Sequence, residues 1–492
     1  MLSPCIRLVY DNLMHILFVT SEVAGVFKLG GLADVSLSLP LALGRRGIKV
    51  TVCLPFYKTI DSAGVRGVGE LAVDFGGVRE FVFLFTKPLG VPGVELLLFR
   101  HPRLNDYQGA SITEIFAFYA KVISTYYSAG AHLKKEPIDI VHCHDWHTAL
   151  VPLLIGENNK LKIHAPTIQS KQASTIITIH NLLYQGVENE SIAESLNAPR
   201  ELLHGRVSGR KSTISFLREG LEYADVITTV SPTYAKEIVD KRDAGLLGNV
   251  LQKRKADVLG ILNGIDEWIW DPTHDSALPG MYGPGTVFDI KPQNKAHLIH
   301  ELHLVQTRVP LFGFVGRLEP RQKGIDILIE SLHELLPKNL FQMVLLGTGD
   351  KESVEQLKAL STKYSDSLII VDRFDDLLAH RIYSGADVLL VPSKFEPCGL
   401  TQMIAMRYGT IPLVRQTGGL ADSVVDGQTG FFFKNYTSRA LTECMLRVIG
   451  IWEKDQKFWG DMIIRAMKAD FSWEKSAKEY IQLYTRVIKG RK

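Results

Sequence analysis

Cysteine is scarce in this chain. Its 492 residues include five, Cys5, Cys53, Cys143, Cys398 and Cys444, and no two of them form a C-x-x-C pair. An odd number of isolated cysteines argues against a disulfide framework, because such frameworks use paired cysteines in small secreted domains. The pattern fits a reducing compartment, and we expect a cytoplasmic protein.

The sequence also lacks long apolar runs and an excess of charge of one sign. No stretch of about 18 apolar residues occurs, so no membrane span is expected. The short apolar stretch 14–20 runs into a glycine-rich loop and predicts a first strand rather than a signal peptide. The net charge is only +3 and no Lys/Arg block is present. We therefore expect no nucleic-acid partner and a neutral or weakly charged substrate.

What the sequence does contain is a repeated alternation of short apolar runs and helical patterns. This alternation predicts mainly parallel sheets with helices on both faces. In the first half we predict strands at 16–20, 49–54, 95–100, 138–143, 174–179 and 226–230, with helices at 32–46 and 112–129. In the second half we predict strands at 311–315, 342–346, 368–371, 387–392, 411–414 and 430–433, with helices at 324–336, 353–364, 376–385 and 438–452.

The two series predict an α/β protein of two Rossmann-like, doubly wound domains that face a central cleft. We place an N-terminal domain at 1–262, a C-terminal domain at 263–472 and a last helix at 473–492 that packs back on either domain. The stretch from 263 to 308 is rich in Pro, Gly, Asn and Asp, and we place the hinge at its start. Ligands of such sheets bind at the carboxyl ends of the strands.

One loop carries the strongest chemical signal. Glu396 lies between an apolar run, 386–392, that predicts a buried strand and a segment, 400–408, that predicts a helix. A helix start offers free N–H groups and a positive dipole end to phosphate or sugar oxygens. Glu396 is therefore placed for chemistry on a polar ligand. Alone, such a glutamate is more simply a helix charge stabilised by the dipole, but its companions favour the chemical interpretation.

A glycine-rich loop follows the first predicted strand. Lys28 precedes Gly30 and Gly31, and Asp34 follows them. Glycine lets a ligand approach the backbone closely, and the lysine adds a positive charge beside the start of a helix. Such a loop can hold a diphosphate, and the alternative is an ordinary strand–helix turn.

The second half of the chain offers a matching pair of features. Arg317 and Lys323 flank another strand–helix loop, where paired cations can stabilise a departing diphosphate without a metal. The alternative for these two residues is solvated surface charge. Within residues 417–422, the last five repeat the Gly-Gly-Leu-Ala-Asp sequence of residues 30–34. Both halves are thus predicted to present a glycine loop to the same cleft.

Several histidines crowd around Asp145 at the end of a predicted strand, namely His142, His144 and His147. Zinc sites normally collect their ligands from separated positions, and neighbours at a strand end point in opposite directions. We therefore expect Asp145 and one histidine to line a polar pocket for sugar hydroxyls rather than to bind zinc. His180 follows the next strand and is either a structural group or part of the same pocket.

Taken in order, these motifs resemble those of the bacterial glycogen synthase and plant starch synthase family. The matching segments are 28–34, 144–147, 180–181, 263–266, 316–318, 322–324, 395–402 and 417–422. The resemblance implies the two-domain fold called GT-B. It also implies retaining transfer of glucose from ADP-glucose to the non-reducing end of an α-1,4-glucan such as glycogen, with no metal or other cofactor.

The resemblance implies roles for residues at the matching positions. Lys28, Arg317 and Lys323 would bind the donor phosphates. His180 and Asn263 would contact the donor glucose. Glu396 would hold the glucose and stabilise positive charge on its ring, and Phe374 would lie near the nucleotide base. The implied catalytic residues are Glu396, His180, Arg317 and Lys323, and the implied substrate-binding residues are Lys28, Gly30, Gly31, Asp34, Asp145, Asn181, Asn263, Phe374, Cys398, Gly399, Leu400 and Thr401.

The chain departs from the family pattern in three places. Arg317 and Lys323 are six residues apart, one more than usual, residues 100–113 lack the usual Arg-rich segment, and residues 241–248 lack the usual Gly-rich pattern. Three interpretations stay open: a glycogen synthase, a related retaining glucosyltransferase with another nucleotide donor or a small-sugar acceptor, and a non-catalytic glucan-binding protein. The presence of both Lys28 and Glu396 argues against the third.

Overall fold

The structure is a computed structural model that describes residues 14–107, 111–134, 137–160, 172–199, 203, 213–240 and 247–490. Two segments discussed above, 100–113 and 241–248, lie partly outside the described residues. The described chain divides into two compact units. The first unit contains the described residues up to Val230, Ala235–Ile261 and the segment from Trp473, and the second contains Ser231–Tyr234 and Leu262–Ser472.

The first unit is built on two sheets. The bounds of its strands are β1 His15–Val19, β2 Lys49–Pro55, β3 Arg66–Phe75, β4 Val78–Pro88, β5 Val94–Arg100, β6 Ile140–His144, β7 Ser174–Ile179, β8 Val187–Asn189, β9 Thr213–Ser215, β10 Val226–Thr229 and β11 Val258–Gly260. The larger sheet has nine strands in the order β11-β10-β7-β6-β1-β2-β5-β4-β3. Its strand pairs are parallel except β3–β4 and β4–β5, and β8 pairs with β9 alone.

The second unit is built on one six-stranded sheet in which all pairs are parallel. The bounds of its strands are β12 Leu311–Val315, β13 Gln342–Leu346, β14 Leu368–Val371, β15 Val388–Val391, β16 Ile411–Arg415 and β17 Phe431–Phe433. The strand order is β14-β13-β12-β15-β16-β17. The chain order therefore reverses between β12 and β15, and in open α/β sheets ligands bind at such a switch point.

Helices alternate with these strands. In the first half of the chain they span Gly31–Arg45, Ile112–Lys134, Asp145–Thr148, Leu150–Lys160, Ile192–Leu196, Phe216–Tyr223, Pro232–Val239 and Gly248–Lys253. In the second half they span Val287–Glu301, Pro320–Lys323, Ile325–Leu335, Lys351–Lys363, Asp376–Gly385, Thr401–Arg407, Gly418–Ser423, Ser438–Lys454, Gln456–Met467 and Trp473–Lys489. Short 3₁₀ turns lie at Pro102–Leu104, Lys255–Asp257 and Leu336–Lys338.

Local sequence explains these elements. All five residues of β1 are buried, as expected for an apolar strand in a parallel sheet that helices cover on both faces. Several helices of the second unit begin after a residue whose side chain accepts a backbone N–H of the first turn, which satisfies a donor that has no partner in the helix. Such caps are Asp350, Asp375, Thr437 and Asp455.

The predicted fold class, two α/β domains on mainly parallel sheets, is confirmed. Each predicted strand is present with bounds that differ by one or two residues at most. Two elements were not predicted from the sequence pattern. The first is the hairpin β3–β4, whose strands alternate between exposed and buried residues and are joined by Gly76 and Gly77, both with positive φ. The second is the helix Val287–Glu301, because Pro292 lies inside it and the flanking sequence is rich in turn-forming residues.

The last helix, Trp473–Lys489, packs in the first unit, where the sequence alone had left both domains open. Its apolar face, which includes Trp473, Tyr480 and Tyr484, is buried in the same core as β1 and β2. At its start, Glu474 forms ion pairs with Arg45 at 2.9 Å and Arg46 at 3.0 Å. The chain therefore returns to its first unit after completing the second.

None of the described helices is both long enough and apolar enough to cross a membrane. Four cysteines lie among the described residues, namely Cys53, Cys143, Cys398 and Cys444, and all four are buried and outside any disulfide.

Candidate active site

The loop that carries Glu396 follows β15 and precedes the helix Thr401–Arg407. The Glu396 side chain is buried, and its Oε2 atom accepts a hydrogen bond from the Ser393 hydroxyl at 2.9 Å. The same oxygen pairs with Lys323 Nζ at 2.7 Å. A buried carboxylate needs such partners because its desolvation is costly. The structure thus joins two of the implied catalytic residues in one ion pair.

Between Arg317 and Lys323 the chain forms a single helical turn, Pro320–Lys323. The Glu319 carboxylate caps this turn by accepting the backbone N–H groups of Arg321 and Gln322, both at 2.9 Å. Because β12 lies next to β15 in the sheet, the turn brings Lys323 to Glu396. The Arg317 guanidinium donates instead to Gln322 Oε1 at 2.9 Å.

The backbone around Glu396 is fixed by the second glycine loop. Gly419 donates its N–H to the Glu396 carbonyl at 3.0 Å. A Cβ atom on Gly419 would lie 2.1 Å from the Cys398 carbonyl oxygen, so only glycine allows this approach. Gly399 has a φ of +72°, and the Gln402 amide donates to its carbonyl at 2.8 Å. This glycine loop therefore supports the Glu396 loop.

Two further residues implied by the resemblance meet beside this loop. The backbone N–H of Asn263 donates a hydrogen bond to the thiol of Cys398. Burial raises the pKa of Cys398 to about 12, and this hydrogen bond partly offsets the rise. Cys398 therefore stays protonated and serves as a packing group rather than a nucleophile. Leu400 and Thr401 lie at the helix start that follows, both partly exposed. Phe374 lies beyond β14 with 87% of its surface exposed, so its ring is free to stack on a ligand.

In the first unit, the glycine-rich loop lies between β1 and the helix Gly31–Arg45. Lys28 Nζ pairs with Asp34 Oδ1 at 2.7 Å, and the lysine side chain is 52% exposed. Gly30 has an extended backbone and caps the helix. A Cβ atom on Gly30 would meet no atom within 4 Å, so the space beside it is open to a ligand.

Glu22, which the sequence analysis did not single out, holds this loop from inside. Its Oε2 atom accepts the N–H groups of Leu29 at 2.7 Å and Gly30 at 2.8 Å. These two donors are therefore engaged by a carboxylate of the protein and are not available to a ligand. Burial raises the pKa of Glu22, although the two N–H groups oppose the shift. The sequence signal that could have singled out Glu22 is its position three residues beyond the end of β1, because functional residues gather at strand ends in such sheets.

Asp145 organises the loop that carries His180 and Asn181. Its backbone has a φ of +55°, unusual for a residue with a side chain, and its Oδ1 atom accepts the N–H of His180 at 2.7 Å and of Asn181 at 3.4 Å. Burial raises the pKa of Asp145 to about 7, and the charge of Glu22 adds to the shift. The Asp145 and Lys28 loops are therefore electrostatic neighbours within the first unit.

The histidines around Asp145 have separate partners. His142 Nε2 lies 2.6 Å from Thr178 Oγ1, and His147 Nε2 lies 2.8 Å from Tyr107 OH. His144 Nδ1 lies 2.9 Å from His180 Nε2. Among the residues that the structure describes, no group of three or more His, Cys, Asp or Glu side chains is arranged to hold a metal ion. The cluster is a hydrogen-bonded set of neutral imidazoles, because burial lowers the pKa of each ring.

Comparisons with known proteins give the family of the chain. Residues 15–253 match the starch synthase catalytic domain family, and residues 298–459 match the glycosyl transferases group 1 family. The chain is similar to the glycogen synthase of Thermodesulfovibrio yellowstonii, at 37% identity over 505 residues, covering 97% of this chain and 99% of that protein. It is also 40% identical over 482 residues to the glycogen synthase of an Anaeromyxobacter species, covering 96% and 99%.

Among solved structures, the chain is similar to the catalytic domain of starch synthase IV from Arabidopsis thaliana, which was solved bound to ADP and acarbose. The identity is 30% and the TM-score 0.85, with 97% of this chain and 100% of that chain covered. Sucrose-phosphate synthase from Thermosynechococcus elongatus shares the fold. Its identity to this chain is 19% and the TM-score is 0.59, with 97% of this chain and 100% of that chain covered.

The two α/β domains and the charged loops at their strand ends define a glycosyltransferase of the GT-B fold. Within that class, the family follows from identities of 37% and 40% over nearly the full length of the chain to the two glycogen synthases. The chain belongs to the bacterial glycogen synthase and plant starch synthase family, whose partners are nucleotide sugars and glucans.

Proposed function

We propose that this protein transfers glucose from ADP-glucose to the non-reducing end of an α-1,4-glucan, glycogen, with retention of configuration. The observation that carries the proposal is the 2.7 Å ion pair between Lys323 and Glu396, at positions that match the family motifs. The starch synthase IV structure bound to ADP supports ADP as the nucleotide released. The described cysteines, which form no disulfide, support a reducing, cytoplasmic setting.

In the proposed reaction, Lys28, Arg317 and Lys323 bind the donor diphosphate. The bond between C1 of glucose and the phosphate oxygen breaks, and its electron pair stays on that oxygen. Fixed cations stabilise this growing negative charge without any metal. The 4-hydroxyl oxygen of the glucan attacks C1 from the face that ADP leaves, and its proton passes to the departing phosphate.

Glu396 has a separate task in this proposal. As the C1–O bond stretches, the glucose ring acquires oxocarbenium-like positive charge, which a nearby carboxylate stabilises. The contacts of Glu396 with Ser393 and Lys323 both fall on Oε2, so Oε1 is the oxygen assigned to the sugar. His180 and Asn263 contact the donor glucose, and Asp145, Asn181 and the helix start at 399–401 complete the binding set. Phe374 stacks on the base.

The test measures nucleotide release from ADP-glucose and from UDP-glucose, each with glycogen, with a small acceptor sugar and with no acceptor. We expect ADP release that depends on glycogen, together with incorporation of labelled glucose into the polymer. Rapid release from UDP-glucose alone would change the donor, and transfer to the small sugar alone would change the acceptor. Glycogen binding with no nucleotide release would identify a glucan-binding protein and overturn the proposal.

A further inference from the structure

His144 and His180 form a hydrogen bond that joins two neighbouring strand ends. His144 is the last residue of β6, and His180 directly follows β7. The two strands are parallel and pair His144 with Thr178, so His180 lies two residues further along, on the same face as Thr178. The ring nitrogens His144 Nδ1 and His180 Nε2 are 2.9 Å apart.

The surroundings of His144 decide which ring donates. Its side chain is fully buried and stacks on Phe18, with ring centres 4.0 Å apart. Its second nitrogen, Nε2, is buried and has no hydrogen-bond partner among the described residues. Burial lowers the pKa of both rings, that of His180 to about 3, so each ring is neutral and carries one proton.

Two arrangements of those protons satisfy the hydrogen bond. If His180 Nε2 donated, the proton of His144 would lie on its Nε2, as a buried N–H with no acceptor. If His144 Nδ1 donates, its Nε2 is a bare lone pair. Orphaned buried N–H groups are rarer in proteins than acceptors that lack a donor, and a neutral imidazole offers only these two tautomers. The second arrangement is therefore favoured.

We propose that His144 is a positioning residue that fixes His180 as the tautomer protonated at Nδ1. The hydrogen bond from His144 occupies the lone pair of His180 Nε2, so the proton of His180 must lie on Nδ1. His180 then presents a neutral N–H donor, which suits an acceptor oxygen of a bound sugar. The kinetic consequence, but not the tautomer itself, rests on the proposed function.

The tautomer can be read directly by nitrogen-15 NMR of the full chain with labelled histidine. Protonated and bare ring nitrogens resonate far apart, and the peaks of His180 are identified by their loss in His180→Gln. We expect a proton on Nδ1 of His180 in the native protein. His144→Leu, which removes the donor, should shift the proton to Nε2. His144→Asn, whose amide places an N–H near the position of Nδ1, should retain it on Nδ1.

Kinetics provide the second measurement. We expect His144→Leu to lower kcat/KM for the nucleotide sugar by about tenfold, the effect of one lost or misdirected hydrogen bond, and His144→Asn to recover part of it. A native His180 protonated at Nε2 would overturn the inference, and so would an unchanged tautomer in His144→Leu. If His144→Leu does not fold, the native spectrum still decides. A proton on Nδ1 in a protein that releases no nucleotide would support the tautomer and reject the proposed function.

Discussion

The Lys323 ammonium lies 2.7 Å from Oε2 of Glu396, so a cation assigned to the donor phosphates and the carboxylate assigned to the sugar form one charged pair. Their side chains are 22% and 7% exposed, which limits the screening of the pair by water. Loss of either partner should therefore affect the other.

We predict that Lys323→Met lowers kcat/KM by about 100-fold, in the range seen when one charge-stabilising donor is removed from an active site. Glu396→Gln should lower kcat by a similar factor with little change in the donor KM. Steady-state kinetics with circular dichroism would check both. The matched control is Lys338→Met, which breaks an exposed pair with Glu334 and should leave activity unchanged. Near-normal turnover in Glu396→Gln would remove that residue from the site.

The role of Glu22 gives a second prediction. Glu22→Gln replaces a carboxylate that accepts two N–H groups of the Lys28 loop by a neutral amide, and charged acceptors make the stronger bonds. We expect the donor KM to rise about fivefold and the free energy of unfolding to fall by about 1–2 kcal/mol, with kcat nearly unchanged. Glu355→Gln, at an exposed helix position, is the control. An unchanged KM would show that the loop does not depend on Glu22.

The two glycine loops should respond differently to the same substitution. Gly419→Ala would place a Cβ 2.1 Å from the Cys398 carbonyl oxygen, so the Glu396 loop must move, and overpacking of this kind costs about 1–3 kcal/mol. Gly30→Ala meets open space, so it should cost less stability than Gly419→Ala, only the loss of a favourable N-cap residue, while raising the donor KM, because the added methyl obstructs a ligand. Thermal unfolding and kinetics of the pair would test this, and equal stability losses would contradict it.

Acid stability gives a fourth prediction. Burial lowers the pKa of His142, His147 and His180 to about 3, whereas an unfolded histidine titrates near 6.5. Below about pH 6.5 the unfolded chain binds more protons than the folded one, so stability falls as the pH drops from 6.5 toward 3. Each histidine contributes a slope of about 1.4 kcal/mol per pH unit.

Asp145 acts in the opposite direction within part of this range. Its pKa is raised to about 7, so between about pH 4 and 7 the folded protein holds a proton that the unfolded chain has lost, and its contribution to stability falls as pH rises. Urea unfolding between pH 7 and 5 would measure the net slope. In His147→Gln the amide nitrogen can keep the hydrogen bond to Tyr107. This variant should lose less stability on acidification, because one fewer proton is taken up on unfolding. The exposed His300→Gln is the control, and identical slopes in all three proteins would reject this account.

The sequence alone determined the fold class and the location of the main candidate site residues. Apolar runs with helical patterns between them are local features, and they predicted β7, β12, β13 and β14 with the bounds that the structure shows. The position of Glu396 between a strand and a helix followed from the same patterns. Strand ends carry ligand-binding residues in this architecture, so Lys28 and Lys323 could be proposed as site residues as well.

Only the tertiary structure decided which of these residues touch. The pairing of Lys323 with Glu396 depends on β12 lying beside β15, and the bond between His144 and His180 depends on β6 lying beside β7. Two other contacts also join distant parts of the chain. Gly419 bonds to the Glu396 loop, and the last helix packs in the first unit. Local propensity carries no information about such partners, because the strand order that creates them is set by the packing of the whole sheet.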